Sequence, residues 1–353
     1  MKNLFNYLFA KKNKQRTISF TLVIGAYLLI EIITNVTRVP RLFTSLLVPT
    51  CAYIVIALAL NLVVGFSGEL SLGHAGFMAI GAFTSVIATG TLSDVITNKI
   101  LLLILSIIIG GIVSGLLGLI ISIPILKLSG DYLAIVTLAF GQIIKSLINN
   151  IYLGIDSKGL HFSFVTNNIE LNGGRMLLSG PMGATDTLKI SNFTAGFVLI
   201  LITLIVIYSL IRSKYGRAIM SARDNRIAAE SIGINITKTK TLAFVISTIL
   251  AGMAGALYAL NYSTLQPAKF DFNTSILILV YVVFGGLGSI NGTIIATTLL
   301  YILPELLRQL QDFRMLIYSI VLIVVMQITN NKQLSRLGSN VKDMFLRKEH
   351  RHD

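Results

Sequence analysis

Long apolar runs follow one another along most of this chain and constrain its fold more than any other feature. Charged residues make up only 12% of the 353 residues, whereas soluble domains contain about 25%. Since a membrane-spanning helix needs about 20 apolar residues, we predict an all-α polytopic membrane protein with about ten transmembrane helices. The predicted spans are residues 17–37, 42–64, 71–90, 99–123, 132–152, 194–211, 241–261, 274–288, 290–307 and 314–329.

The charges of the connecting segments predict the side on which each segment lies. Five cations and no acid precede Thr17, and an excess of lysine and arginine keeps short segments cytoplasmic. An even number of spans returns the basic carboxyl tail to the same side. We therefore predict a cytoplasmic amino terminus (1–16), a transmembrane domain (17–330) with a cytoplasmic loop (213–240) and an outer loop (153–193), and a cytoplasmic tail (331–353).

Glycines interrupt the apolar sequence near the carboxyl end. Gly285 and Gly286 separate two short apolar pieces within residues 274–307. These pieces can form two spans or a re-entrant hairpin, because non-helical backbone is tolerated at membrane depth where protein or water surrounds it. The predicted sides are the same in both cases, since the two crossings are added or removed together.

The loop at 213–240 is the most strongly charged segment between spans. Residues 212–240 carry seven cations and only two acids, Asp224 and Glu230. Ser221 followed by Asp224 resembles a capping box, and Gly233 stands where a helix commonly stops. The pattern predicts one short helix over 222–232 that projects into the cytosol and serves for docking.

Two ionisable residues, Glu69 and His74, interrupt apolar sequence among glycines. An ionisable group at membrane depth is expensive and indicates function, but the predicted boundaries place both residues in a cytoplasmic turn. Two interpretations stay open: an ordinary loop or capping role, and a position along a transport pathway or gate. Beyond the turn, three alanines at helical spacing predict close helix packing; they are Ala75, Ala79 and Ala82.

A polar stripe and a second small-residue stripe lie within later spans. Thr137, Gly141, Lys145 and Asn149 recur every four residues, with Gln142 and Ser146 beside them. We predict that this face turns towards protein or an aqueous cavity; Lys145 by itself can reach the membrane surface by snorkelling. In the span at 241–261 the small residues predict helix packing; they are Ala251, Gly252, Gly255, Ala256 and Ala259.

Several classes of function lack their sequence signatures. The chain has no phosphate-binding G-x-x-x-x-G-K-[ST] motif and no G-x-S-x-G nucleophile motif. His74 has no partner at metal-ligand spacing, and a single cysteine, Cys51, excludes an intramolecular disulfide framework. The formal charge of +14 gathers at the two ends and in the central loop, which favours membrane topology over nucleic-acid binding. We predict no catalytic residue and no metal site.

Four blocks, in consistent order, resemble one transporter family. They read LALNLVVGFSGELSLGHAGFMAIGAFT (58–84), SGDYLAIVTLAFGQIIKSLINN (129–150), GRAIMSARDNRIAAESIGINITKTKTLAFVISTILAGMAGALYA (216–259) and VFGGLGSINGTIIATTLLYILPELLR (283–308). The chain resembles the branched-chain amino-acid ABC importer permeases of the LivM type over residues from about 50 to 310.

The resemblance implies a subunit of the bacterial cell membrane that works with a LivH-like sister permease, two cytoplasmic ABC ATPases and an extracytoplasmic substrate-binding protein. ATP and magnesium would bind the ATPases, so no cofactor is expected on this chain. The importers' coupling motif falls on Ala228, Ala229 and Gly233, with Ile227 where importers generally have an acid. The expected ATPase-coupling residues are Arg223, Asp224, Ala228, Ala229, Glu230 and Gly233. The expected pathway or subunit-interface residues are Glu69, His74, Thr137, Gly141, Gln142, Ser146, Gly285 and Gly286.

The expected cargo is a branched-chain amino acid, with urea or another small amide as the alternative. Two other classes stay open. A secondary transporter ordinarily has a carboxylate or histidine near the middle of the bilayer, and the predicted spans place none there. A polytopic membrane enzyme would need a cluster of acids, bases or metal ligands, and the sequence shows none.

Overall fold

Helices dominate the computed structural model, which describes residues 14–36, 40–125, 131–156, 159–164 and 174–307 and the single residues 316, 319, 320 and 323. A five-residue π-helix, Leu62–Phe66, continues directly from the second helix. The helices are α1 (Lys14–Val36), α2 (Arg41–Asn61), α3 (His74–Leu92), α4 (Lys99–Ile125), α5 (Asp131–Asn149), α6 (Phe193–Arg212), α7 (Lys214–Asp224), α8 (Arg226–Ser231), α9 (Ile236–Ala259), α10 (Phe272–Gly285) and α11 (Ile290–Leu306).

The apolar helices match most of the predicted spans. Among the described residues, seven helices are long and apolar enough to cross a membrane. Two predicted spans correspond to α10 and α11, which have 14 and 17 residues and are shorter than a usual span. The predicted span 314–329 lies almost wholly outside the described residues. A polytopic, mostly helical membrane protein is confirmed, while the number ten and the sides of the termini stay predictions.

Helix α9 lies at the centre of the fold and packs against α2, α3 and α4. The contacts are between backbones, because small residues face one another. A Cβ added to Gly255 would overlap the carbonyl of Met78, and a Cβ added to Gly81 would overlap the backbone of Gly252. The alanines of α3 and the small residues of α9 are buried, which confirms that both predicted stripes serve helix packing.

A valine at Gly255 should therefore prevent normal folding. The new side chain would collide with backbone that cannot move aside, and overpacking of a tight core costs about 1–3 kcal/mol or more. Gly25 provides the matched control, because it also lies in an apolar helix but has no atom of the described residues within 4 Å of an added Cβ. We expect Gly255→Val to lower the unfolding temperature in detergent and Gly25→Val to leave it unchanged; equal effects would contradict backbone contact.

The predicted outer loop contains a small antiparallel sheet that the sequence analysis did not predict. Its strands are β1 (Ile151–Asp156), β2 (Gly159–Phe164) and β3 (Arg175–Ser179), in the order β2-β1-β3. Beyond β3, Ala184 pairs with Leu265 in an isolated antiparallel bridge. This bridge ties the region after the sheet to the segment that follows α9.

The sheet and the charged segment lie at opposite ends of one helix. Helix α6 begins 14 residues after the end of β3, at Phe193, and finishes at Arg212, immediately before α7. Its 20 residues give it a length of about 30 Å, the thickness of the hydrocarbon core of a bilayer. The chain divides into a unit that ends at Thr298 and a second unit that begins at Leu299 with the end of α11.

Candidate functional site

The segment between α6 and α9, residues 213–235, folds as two short helices rather than one. Ser213 caps α7 by accepting a hydrogen bond from the Gly216 amide at 3.2 Å, and Asn225 caps α8 in the same way from Ala228 at 3.0 Å. Ser221 lies inside α7 and bonds to the carbonyl of Ala218. The predicted capping box at Ser221–Asp224, and the single helix over 222–232, are therefore wrong, because Asn225 adopts an extended backbone and starts a new helix.

Small residues of this connecting segment pack against one another. Ala229 is buried with Ala222 and Ile236 in a small apolar cluster, whereas Ala228 is exposed. Gly233 has a φ of 84° and its amide bonds to the carbonyl of Glu230 at 3.0 Å. The prediction that Gly233 ends a helix is confirmed, since this left-handed conformation favours glycine.

Two isoleucines project from the connecting segment into open space. Ile227 is 80% exposed and Ile232 is 74% exposed, so neither is buried by the described part of the chain. Exposed apolar side chains rimmed by charge are typical of surfaces that bind other proteins. The sequence analysis noted Ile227 only as a departure from a motif and did not single out Ile232. The signal available in the sequence was that both isoleucines lie within three residues of Ala229 in a charged segment.

The connecting segment is attached to the helix bundle through Arg223. Its Nη1 donates to the carbonyl oxygen of Gly65 in the π-helix at 2.9 Å, while Nε and Nη2 both donate to Oδ1 of Asp224. The stem of the arginine lies across Gly68, which has a φ of 74° and would place a Cβ 2.6 Å from Cγ of Arg223. Arg223 thus joins α7 to the loop that precedes α3.

A buried ion pair makes the second attachment. Nζ of Lys240, in the first turns of α9, bonds to Oε1 of Glu69. The two side chains are 14% and 10% exposed, so they are largely removed from solvent. Arg223 therefore connects the connecting segment to the π-helix and to Gly68, and the ion pair connects the loop of residues 67–73 to α9, directly after that segment.

The other end of the π-helix holds the turn between α10 and α11. Asn61 donates from Nδ2 to Oγ1 of Thr293 at 2.9 Å and to the carbonyl of Ser289 at 3.2 Å, and its Oδ1 accepts from the amide of Gly288 at 2.8 Å. Gly286 ends α10 with a φ of 88°, and a Cβ on Gly285 would lie 2.5 Å from Thr293 Cα. These glycines therefore allow a tight helical turn beside Asn61.

His74 forms a buried chain of hydrogen bonds between three parts of the fold. Ser247 donates its only hydroxyl proton to the carbonyl of Ala59 at 2.6 Å, so its oxygen must accept from Nε2 of His74 at 2.7 Å. Nδ1 is then the acceptor for the hydroxyl of Ser71 at 3.0 Å. The contacts define a neutral imidazole protonated on Nε2 that joins the loop before α3 to α2 and α9.

Removing the Ser247 hydroxyl should destabilise the fold. In Ser247→Ala the Nε2–H of His74 loses its acceptor inside the core, a penalty of about 1–3 kcal/mol. Ser85 is the control, because it is equally buried but its hydroxyl bonds, among the described residues, only to Ala82 in its own helix. We expect a lower unfolding temperature for Ser247→Ala than for Ser85→Ala; the reverse order would argue against the chain of bonds.

The predicted polar stripe of α5 divides into a buried part and an open part. Oγ1 of Thr137 accepts from the amide of Leu72 at 3.0 Å, and a Cβ on Gly76 would lie 2.8 Å from Cα of Gly141. Gln142 is half-buried and Ser146 is exposed. Thr137 and Gly141 thus serve packing against α3 and its preceding loop, whereas Gln142 and Ser146, with the half-buried Lys145 and Asn149, reach the surface of the chain.

Comparison with known proteins gives a consistent family. Residues 42–326 match the family model described as branched-chain amino acid transport system / permease component. The chain is 34% identical over 288 residues to the high-affinity branched-chain amino acid transport system permease protein LivM of Salmonella typhimurium, and 33% identical to LivM of Escherichia coli. Each alignment covers 78% of this chain and 66% of the relative, so the chain spans slightly less than two thirds of these relatives.

More distant similarity extends to a second kind of permease. The LivH permease protein of Salmonella typhimurium is 25% identical over 262 residues, which cover 70% of this chain and 79% of the relative. No solved structure gives a significant match. The family match covers all the described helices from α2 to α11.

Proposed function

Because the chain belongs to the family of branched-chain amino acid transport permease components, we propose that it is one transmembrane subunit of an ATP-driven importer for branched-chain amino acids in a bacterial plasma membrane. Its partners are a LivH-like sister permease, two cytoplasmic ABC ATPases that bind ATP and magnesium, and an extracytoplasmic substrate-binding protein. Both termini and the connecting segment face the cytosol. The names of the relatives support the substrate class and the sister subunit.

The observation that carries this proposal is the exposed connecting segment and its two attachments to the bundle. Ile227, Ala228 and Ile232 offer an apolar surface to an ATPase. Arg223 joins the segment that carries this surface to the π-helix, and the Glu69–Lys240 pair joins the loop after the π-helix to α9. Closure of an ATPase dimer can then move the bundle as a rigid body. In this mechanism Glu69 and His74 hold the loop before α3 against α9 and do not contact the transported amino acid.

The pathway is proposed to run along the open side of α5, between this chain and the sister permease. An amide such as Gln142 costs several kcal/mol in hydrocarbon without a hydrogen-bond partner, so it must face water or protein. Ser146 extends the same surface by one turn. A mostly apolar passage with a few polar groups suits an amino acid with an aliphatic side chain.

Labelling both ends of α9 tests the proposed orientation. Thr237 in the first turn of α9 and Thr264 shortly after its last residue are both exposed, and the native Cys51 is buried. We expect a cysteine at 237 to react with an impermeant thiol reagent only from the cytosolic side, and a cysteine at 264 only from the outside. Reaction of both from one side would refute the orientation.

Uptake in proteoliposomes tests the transport function. The chain, reconstituted with its partner subunits, should accumulate labelled leucine only when ATP is supplied to the ATPase side. Accumulation driven by an ion gradient without ATP would indicate a secondary transporter. ATP-dependent uptake of urea that leucine does not inhibit would indicate the small-amide alternative.

A further inference from the structure

A cavity of about 320 Å³ lies at the sheet end of the fold, away from the connecting segment. It is open to solvent on one side and is lined by the last turns of α3, strand β3 and the segment around residues 185–188. Small-molecule pockets commonly measure roughly 300–1,000 Å³, so this space suits a compact ligand. Much of its wall is apolar, with Val86, Met176, Leu177 and Leu188 contributing.

Two ionisable residues line the cavity, and they have opposite charges: Arg175 and Asp186. Arg175 is held in place by its Nη2, which donates to the carbonyl of Gly90 at 2.7 Å and to Oγ of Ser93 at 2.9 Å. Its contact with Asp94 is 3.9 Å long and solvent-exposed, which makes it weak. Nε and Nη1 make no hydrogen bond with the described residues, so they are available to an anion.

Backbone hydrogen bonds on both sides of Asp186 hold its backbone in place. Asp186 has a φ of 56° and is the only non-glycine residue with positive φ among those described. On one side Ala184 pairs with Leu265, and on the other the amide of Thr187 donates to the carbonyl of Ser263 at 3.0 Å. The carboxylate has no ion pair or hydrogen bond within the described part of the chain. Unusual backbone conformations that the surroundings impose cluster at ligand sites.

We propose that this cavity binds a zwitterionic amino acid with an aliphatic side chain, on its way into the transporter. Arg175 binds the α-carboxylate, Asp186 binds the α-ammonium group, and the aliphatic side chain lies against Val86, Leu177 and Leu188. A guanidinium from β3 and a carboxylate from the segment around 185–188 line the same cavity and match the two charges of a free amino acid, whereas a neutral amide would leave both without a counter-ion. This assignment rests on the proposed function, and it adds a binding site on the outer side for the same substrate.

Three ligands and three variants test the site in the full chain, reconstituted with its sister permease and ATPases but without the substrate-binding protein, which would bind leucine itself. The ligands are leucine, isocaproate, which lacks the ammonium group, and isoamylamine, which lacks the carboxylate. Arg175→Gln should weaken binding of leucine and isocaproate at least about tenfold and leave isoamylamine unchanged. Asp186→Asn should weaken leucine and isoamylamine and leave isocaproate unchanged. Asp94→Asn, at the exposed neighbour of Arg175, should bind all three as the wild type does.

The pattern across ligands distinguishes recognition from folding. Loss of all three ligands in either variant would show a structural role and overturn the site, as would wild-type leucine affinity in both variants. The proposed function is decided separately by ATP-driven leucine uptake of the wild type. Uptake together with unaltered leucine binding in both variants refutes the site alone; matched changes in binding without ATP-driven uptake refute the proposed function alone.

Discussion

Replacing Ala228 with arginine will leave the protein folded and inserted but will reduce ATP-driven uptake at least about 30-fold, the effect of losing about 2 kcal/mol at the centre of an interface. Ala228 is exposed beside Ile227, which is 80% exposed. A long charged side chain there would keep an ATPase from seating on the apolar surface. Leucine uptake by proteoliposomes, together with the unfolding temperature of the purified chain, measures both effects.

Two further variants give this experiment its controls. Ala229→Arg places the same side chain one residue further on, where the alanine packs against Ala222 and Ile236; we expect it to lower the unfolding temperature as well as uptake. Thr264→Arg adds the same charge at an exposed position at the other end of α9 and should change neither. Normal uptake by Ala228→Arg would contradict docking on this surface.

Removing Glu69 will destabilise the protein far more than removing an acid from an exposed pair. Glu69→Ala leaves the ammonium group of Lys240 buried without a counter-ion, which should lower the free energy of unfolding by about 3–5 kcal/mol. The Arg226–Glu230 pair, with side chains 57% and 51% exposed, is the control, because exposed pairs contribute about 0–1 kcal/mol. Equilibrium unfolding in mixed detergent compares Glu69→Ala with Glu230→Ala.

A double variant separates the buried charge from lost packing. Glu69→Met combined with Lys240→Met removes both charges, and we expect it to recover most of the stability lost in Glu69→Ala. Uptake should stay low in the double variant, since the loop of residues 67–73 would lose one attachment to α9. Equal stability of Glu69→Ala and Glu230→Ala would contradict this account, because it would show that the ammonium group of Lys240 is hydrated in the folded Glu69→Ala variant.

Local patterns predicted the parts of the fold that depend on local physics. The small residues of α3 and α9 identified the packing faces, because close approach of backbones leaves no choice of side chain. Gly233 was identified as a helix end because the left-handed backbone conformation that ends a helix favours glycine. The capping box failed because α7 already runs through Ser221 from its cap at Ser213, and the next helix starts at Asn225; the local pattern offers acceptable starts at both Ser221 and Asn225.

Long-range pairs were beyond the reach of a single sequence. Glu69 and His74 were identified as unusual, but their partners, Lys240 and Ser247, are 171 and 173 residues away. Nothing in the local pattern distinguishes a gate from a structural link. The polar stripe of α5 was predicted as one surface, yet Thr137 and Gly141 are buried against the region around Leu72 and Gly76, since neighbouring helices decide which polar positions are covered.

The central position of α9 has a consequence for how the protein is made. The helices that surround it, α2, α3 and α4, are complete at Ile125, whereas α9 begins at Ile236. A ribosome that adds about 5–20 residues per second needs on the order of 10 to 30 s to travel from Glu69 to Lys240. During that interval Glu69 lacks Lys240 as its counter-ion, and the small-residue face of α3 lacks the helix against which it packs. The native unit can therefore close only after α9 has been synthesised, whatever the order in which the earlier helices enter the bilayer.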